Sequence, residues 1–361
     1  MTELREGRRT RGTRSSGRAT IVDVARRAGV SHSTVSRVLS GTSRTHPETL
    51  RAIESAVAEL NYRANPLAQA MRTKTSGAIG LVIDNVVDPV YPEVIGAITS
   101  AAEAGGYSVV LATAGQGPAS VAPALRDLVA RGVDGMVIVC SWQPATIVPL
   151  LARVPLPVVL TGTEGEGAGA PQFGTDNVAG ARLAAEHLLR LGHERIAYVG
   201  GPPGAPFSAA RLSGYRQAWE ANGLPGSLVL EVPGDGTETA GLRAGQLVHR
   251  EHRDVTAIAG YNDRTALGVI AALAGLGVPV PTDMSVIGFD DIPQAAWAAP
   301  GLTTVAQQAA AMGSLAVERL MALVRSPRAA TGAVSGAATG ADGAVRLAAS
   351  LVVRESTATP R

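Results

Sequence analysis

From Gly77 onward the sequence alternates apolar runs of five to eight residues with longer amphipathic stretches, a texture that few folds accommodate. The runs AIGLVIDNV, SVVLATAG, GMVIVCS and PVVLTG are interleaved with helical patterns such as PEVIGAITSAAEAGG and SVAPALRDLVARG. A strand without polar alternation is buried on both faces, and parallel strands need a helix-length crossover, so repeated strand–helix units predict a parallel sheet covered on both sides. A second series begins near Asp176 with NVAGARLAAEHLLRLG, RIAYVGG, ARLSGYRQAWEANG and LVLEV. It continues through a helix near 237–250 to TAIAGYN, DRTALGVIAALAGLG and MSVIGFDD. Two series predict an α/β core of two doubly wound subdomains, with a small molecule held in the crevice facing their strand ends. A chain of 361 residues, 46% hydrophobic, suffices for this large core and one smaller domain.

The first 75 residues differ in texture and in charge. They carry fourteen Lys/Arg against six Asp/Glu, whereas residues 76–361 carry eighteen against twenty-four, so the basic surplus sits where a polyanion would bind. Residues 1–18 read as a basic disordered tail, in which Arg8, Arg9, Arg11, Arg14 and Arg18 add nonspecific attraction to phosphates. The stretch ATIVDVARRAGVSHSTVSRVLSG then reads as two short helices around a tight turn. Thr20 caps the first, with Asp23 near its positive end, and Ile21, Val24, Ala25 and Ala28 share one face. Gly29 takes positive φ to end it, Ser31 caps the second helix, and Val35, Val38 and Leu39 form that helix's inner stripe. His32, Ser33, Ser36 and Arg37 are left outward, the face a recognition helix offers to a major groove. A third helix from Pro47 to about Leu60 turns Ile53, Ala56, Val57 and Leu60 inward and completes an all-α helix-turn-helix domain, residues 19–64.

Several function classes are excluded by what is missing. The sequence has no GxGxxG after its first strand, no GxxxxGK[ST] and no GxSxG, and its six histidines have no metal-ligand spacing, so neither an enzyme nor a bound cofactor or metal is expected. Cys140 is the single cysteine, which suits a reducing compartment, with a buried inert thiol expected. The charged N-terminus is no signal peptide, and no segment reaches the roughly 18 apolar residues of a membrane span, so no membrane partner is expected and the cytoplasm is the expected location.

The segments TIVDVARRAGVSHSTVSRVLSG and LNYRANPLAQAMRTKTSGAIGLV resemble the headpiece and hinge of the lac repressor and galactose repressor family. HLLRLGHERIAYVGG, AIAGYNDRTALGVIAAL, VPVPTDMSVIGFDDIP, GLTTV and LAASLVVREST extend the resemblance over about residues 19–357. It implies a transcriptional regulator, with repression as the output, acting as a homodimer on a pseudo-palindromic operator under control of a small-molecule effector. It also implies that 65–76 is a hinge whose helix, Asn65 to Met71, folds on DNA; a helix so short is marginal alone in water, which agrees. The implied base readers are His32, Ser33 and Arg37, the last able to fork onto a guanine. Thr20, Ser31, Thr34, Ser36, Ser40 and Asn65 are expected as phosphate or positioning groups, Ala68 at the hinge-helix pair, and Met71 as an apolar wedge between base pairs. Leu50 replaces an arginine common in the family's third helix.

For residues 77–357 the resemblance implies the fold of periplasmic sugar-binding proteins, with crossovers near 161, 291 and 325. That assigns 77–161 and 292–325 to an N-subdomain, and 162–290 and 326–357 to a C-subdomain. The Ala/Gly/Ser-rich run 326–343 reads as a mobile loop. The implied effector contacts are Tyr91, Phe207, Arg211, Asn262 and Asp290, a set suited to sugar hydroxyls or a carboxylate, with a nucleoside or purine corepressor as the alternative ligand. Asp263 is expected to cap the helix beginning DRTALG. Thr161 and Gly236 stand where relatives carry an acidic ligand and an aromatic platform. For Trp142 and Trp297 buried packing or the dimer surface is the expected role, with a replacement aromatic face as the alternative. Whether effector releases DNA or promotes binding stays open.

Overall fold

The computed structural model describes residues 19–39, 45–63, 75–84, 87–115, 120–139, 144–162, 169–326, 338–339 and 344–361. The chain divides into two units, Met1–Ser76 and Gly77–Arg361.

In the first unit three helices, α1 (Ile21–Ala28), α2 (His32–Leu39) and α3 (Pro47–Glu59), close around Val24, Ala25, Val35, Ile53 and Ala56. Thr20 and Asp23 form a reciprocal capping box at the start of α1. Gly29 ends α1 at φ 70°, a conformation that costs a side-chain-bearing residue more. The Ser31 hydroxyl accepts from the Thr34 amide at 3.1 Å and so caps α2. His46 flanks α3 without a side-chain cap, and Pro47 opens the helix. The inner stripe of α2 is shorter than its sequence suggests: Val35 is fully buried, but Leu39 is 42% exposed at the helix end.

The second unit contains two sheets. The first has the order β11-β12-β5-β4-β3-β1-β2. It comprises β1 (Ala78–Ile83), β2 (Ser108–Thr113), β3 (Met136–Val139), β4 (Val158–Thr161), β5 (Gln172–Thr175), β11 (Ala338–Thr339) and β12 (Ala344–Leu347). All its pairings are parallel except β11 with β12. Helices α4 (Tyr91–Ala104), α5 (Val121–Ala130), α6 (Pro144–Leu151) and α12 (Ala309–Arg325) belong with this sheet. The second sheet, β7-β6-β8-β9, is parallel throughout and comprises β6 (Ile196–Val199), β7 (Val229–Val232), β8 (Ala257–Gly260) and β9 (Ser285–Ile287). Around it lie α7 (Asn177–Leu191), α8 (Pro206–Ala221), α9 (Glu238–Glu251), α10 (Asp263–Gly275) and the short α11 (Pro293–Trp297). An antiparallel pair, β10 (Thr304–Ala306) with β13 (Ser350–Val352), packs against the second sheet's core. A Cβ on Gly268 would stand 2.1 Å from the Glu238 carbonyl oxygen, so the close approach of α9 to α10 requires glycine there.

The three crossovers fall later than the sequence reading placed them. Residues 172–175 and 344–347 complete the first sheet, so the chain leaves it after Thr175, not near 161, and finally after Leu347, not near 325. Residues 292–306 stay with the second subdomain through Ile292, Ala295, Leu302 and Val305, which moves the middle crossover from 291 to 307–308. QFGT and AVRL are too short and too polar to announce themselves; long-range pairing decides them. Within the run 326–343 the described Ala338 and Thr339 pair with β12, a correction to a structureless loop. Its other residues except Ser326, and the tail 1–18, hinge residues 64–74, Cys140 and Trp142, lie outside the described residues.

Candidate functional site

Between the two subdomains, at the carboxyl ends of their strands, lies a cavity of about 110 Å³. Val139 ends β3, Gly162 follows β4, and Thr175 and Asn177 straddle the first crossover; Gln307 sits on the second. Asp88 enters from the turn before α4, Tyr91 from the first residue of α4, and Phe207 and Arg211 from the first turns of α8. Tyr261 and Asn262 follow β8, and Asp290 follows β9. Tyr91, Phe207, Arg211, Asn262 and Asp290, the five effector candidates, thus all line one cavity.

Arg211, 4% exposed, organises the polar side. Its Nε donates to Asn177 Oδ1 at 2.9 Å, one terminal nitrogen donates to the Tyr261 carbonyl, and the other stands 3.7 Å from Asp290 Oδ1. The guanidinium carbon is 3.7 Å from the Phe289 ring centre and 4.9 Å from that of Tyr261. Gln307 Nε2 donates to Asp290 Oδ1 at 2.6 Å, the Thr175 hydroxyl donates to Gln307 Oε1 at 2.7 Å, and Asn177 Nδ2 donates to the Thr175 carbonyl at 3.2 Å. The result is a closed polar ring, Thr175–Gln307–Asp290–Arg211–Asn177, that ties two crossovers together. Burial drives Asp290 well above the usual carboxylate range, against the pull of Arg211, and burial likewise raises Asp88. Asp290 holds φ at 123°, a sparsely populated conformation that clusters at functional sites.

The cap expected of Asp263 is supplied instead by Asn262, which also lines the cavity. Asn262 Oδ1 caps α10, accepting from the Thr265 amide at 2.9 Å, while Nδ2 donates to the Gly236 carbonyl. Asp263, wholly buried one residue later, instead accepts from the Ile292 amide at 2.9 Å and from the Thr304 hydroxyl, pinning β10 to the second sheet. Burial pushes its pKa up to about 6. A Cβ on Gly236 would meet the Tyr261 ring at 3.3 Å, so Tyr261 occupies the space beside it. Trp297 is 77% exposed on α11 and does not line the cavity, which corrects both the packed reading and its use as a replacement face.

In the first unit His32, Ser33 and Arg37 are exposed on α2, and Thr20 is exposed before α1. Ser31, Ser33 and Thr34 share hydroxyl contacts of 2.8 Å at the start of α2, and Ser36 follows on the next turn. An Arg27–Glu59 ion pair of 2.5 Å ties α1 to α3. Ser40, Asn65, Ala68 and Met71 lie outside the described residues.

Sequence reasoning missed Asp88, Asn177, Tyr261 and Gln307. Two carried a signal: Asn177 opens a helix at a strand end, and Tyr261 directly precedes Asn262, both places where α/β sheets hold ligands. Gln307, on a crossover set by long-range pairing, carried none. Among the described residues no His/Cys/Asp/Glu cluster could hold a metal ion, and no helix is long and apolar enough to cross a membrane.

Residues 20–65 match the family described as bacterial regulatory proteins, lacI family, and residues 185–357 match a periplasmic binding protein-like domain. The chain is 33% identical over 308 residues to the HTH-type transcriptional repressor PurR of Haemophilus influenzae (strain PittEE), covering 84% of this chain and 90% of that one. It is 32% identical over 311 residues to the ribose operon repressor of Escherichia coli (strain K12), covering 86% and 94%. Among solved structures, the lac repressor dimer bound to operator and the anti-inducer ONPF matches at 30% identity and a TM-score of 0.83, covering 94% of this chain and 99% of that one. A complex of the transcriptional regulator CelR with cellobiose matches at 29% identity and a TM-score of 0.67, covering 94% and 100%.

Proposed function

Because the chain belongs to the lacI family of bacterial regulatory proteins, we propose that it is a cytoplasmic, homodimeric repressor whose grip on a pseudo-palindromic operator is set by a sugar-like effector in the inter-subdomain cavity. It has no catalytic role in this reading. One observation carries it: the cavity is walled by the polar ring that joins two crossovers, so anything bound there touches the groups that set the subdomain angle. His32, Ser33 and Arg37 read bases in the major groove, while Thr20, Ser31, Thr34, Ser36, Ser40 and Asn65 position the backbone. Ala68 and Met71 act in the minor groove from the hinge segment, Met71 as the wedge.

The chain has two states that differ in effector affinity, and the coupling to DNA equals that difference, commonly about 1–3 kcal/mol. A flat nucleobase is the second ligand reading, favoured by the Tyr91 and Phe207 rings at the cavity. DNase footprinting of selected genomic fragments with the full chain tests the proposal. A protected pseudo-palindrome, weakened by Arg37→Ala and by Met71→Ala, is expected; protection of no fragment at low salt overturns it.

A further inference from the structure

The cavity's charges decide what kind of molecule it takes, provided that it is the effector site. We propose that it selects an uncharged, hydrogen-donating molecule of monosaccharide size and rejects phosphorylated and carboxylate forms. An anion needs a cation or a cluster of free N–H donors, and among the described residues the two arginines that act on Asp88 are already engaged. Arg211 donates to Asn177 and Tyr261, faces Asp290, and has an aromatic ring on each side. Arg264, which acts electrostatically on Asp88, is held by Glu238 through two hydrogen bonds of 2.7 Å. Lys74 is the chain's single lysine, so residues 77–361 contain no ammonium side chain.

Helix N-termini could attract an anion, but α7 and α10 are capped by their own side chains, and α4 and α8, which have no side-chain cap, each carry a proline in the first turn. Asp88 accepts from the Val90 amide before α4, Asp176 from the Ala179 amide of α7, and Asn262 from the Thr265 amide of α10. Helix α8 opens on Pro206, which has no N–H to offer. On the acceptor side stand the Asp88 and Asp290 carboxylates. At the end of β4 the Thr161 hydroxyl is fully buried with no hydrogen-bond partner, and Thr161 is register-paired with the cavity residue Val139. Burial already disfavours negative charge at both residues, and a bound anion adds another with no free cation to offset it, whereas a hydroxyl donor adds none. The cavity is also smaller than the roughly 300–1,000 Å³ of sites for larger ligands, which limits the guest to one ring.

The test is a set of matched pairs titrated into the full-length protein by calorimetry and thermal melting: D-ribose with ribose 5-phosphate and D-glucose with glucose 6-phosphate and gluconate, with D-glucosamine as a cationic control and adenosine as a control larger than the cavity admits. An uncharged member is expected to bind at least about 100-fold more tightly than its anionic partner, and Asp88→Asn is expected to narrow that ratio. Equal or tighter binding of an anion, a preference for glucosamine over glucose, or no response to every uncharged compound at about 10 mM each overturns the proposal. Footprinting in parallel separates the two readings. Protein that protects an operator yet answers only to anions loses this inference and keeps the proposed function, whereas absent protection removes the function itself.

Discussion

Replacing Gln307 with leucine should loosen the joint between the subdomains by an amount that the ring geometry fixes. Leucine fills similar volume but removes a 2.7 Å bond from the Thr175 hydroxyl and a 2.6 Å bond to the Asp290 carboxylate. A neutral hydrogen bond contributes about 1 kcal/mol and one to a charged group about 2, so the loss is about 3 kcal/mol. Thr175, 3% exposed, is left with an unpaired hydroxyl, which keeps water from repairing the difference. For a domain of this size the expected fall in melting temperature is about 6 °C. Gln308→Leu is the control on the neighbouring residue: it breaks only an exposed bond of 2.7 Å to the Ala348 carbonyl and should cost under about 1 kcal/mol. Calorimetric melts of both variants at fixed pH decide the matter. A shift for Gln307→Leu below about 1 °C, or equal shifts for both, refutes the ring as a structural joint.

Other perturbations should read out separate parts of the molecule. Gly268→Ala drives a methyl toward the Glu238 carbonyl and should destabilise the second subdomain by about 1–3 kcal/mol in urea melts. Ile53→Ala empties the fully buried centre of the small unit; a loss of about 2–5 kcal/mol should unfold it and abolish DNA binding while the large unit's melt stays put. Burial holds His193 below its ordinary pKa of 6.5, so the native state takes up fewer protons than the unfolded chain. The stability it contributes is present above pH 6.5 and lost as pH falls through the folded value. His193→Gln should therefore flatten the decline in stability between pH 7 and 5, measured by chemical denaturation at each pH.

The parts of the fold that the sequence announced are those whose signals are local. Thr20, Asp23, Gly29 and Ser31 mark helix ends within four residues of themselves, and the small unit was legible from them alone. Runs such as AIGLVI and MVIV lie in the middle of a sheet and declare it by unbroken apolarity. The edges were less legible. Gln172–Thr175 and Ala344–Leu347 become strands because β4 and each other are there to pair with, which no local pattern records. The same displacement hid Gln307, because a residue read as lying inside a subdomain was not weighed as a joint. The cap of α10 passed from Asp263 to Asn262 for a finer reason: either side chain can cap a helix, and Ile292 and Thr304 hold Asp263 elsewhere.

Under the proposed mechanism a guest in the cavity changes the grip on DNA. Its most direct measurement is operator affinity, by fluorescence anisotropy at fixed salt, with and without a saturating amount of the uncharged compound that best raises the melting temperature. The account predicts a change of about 5- to 150-fold, in either direction, that disappears in Asp290→Asn. A compound that binds the cavity tightly and leaves operator affinity unmoved contradicts it.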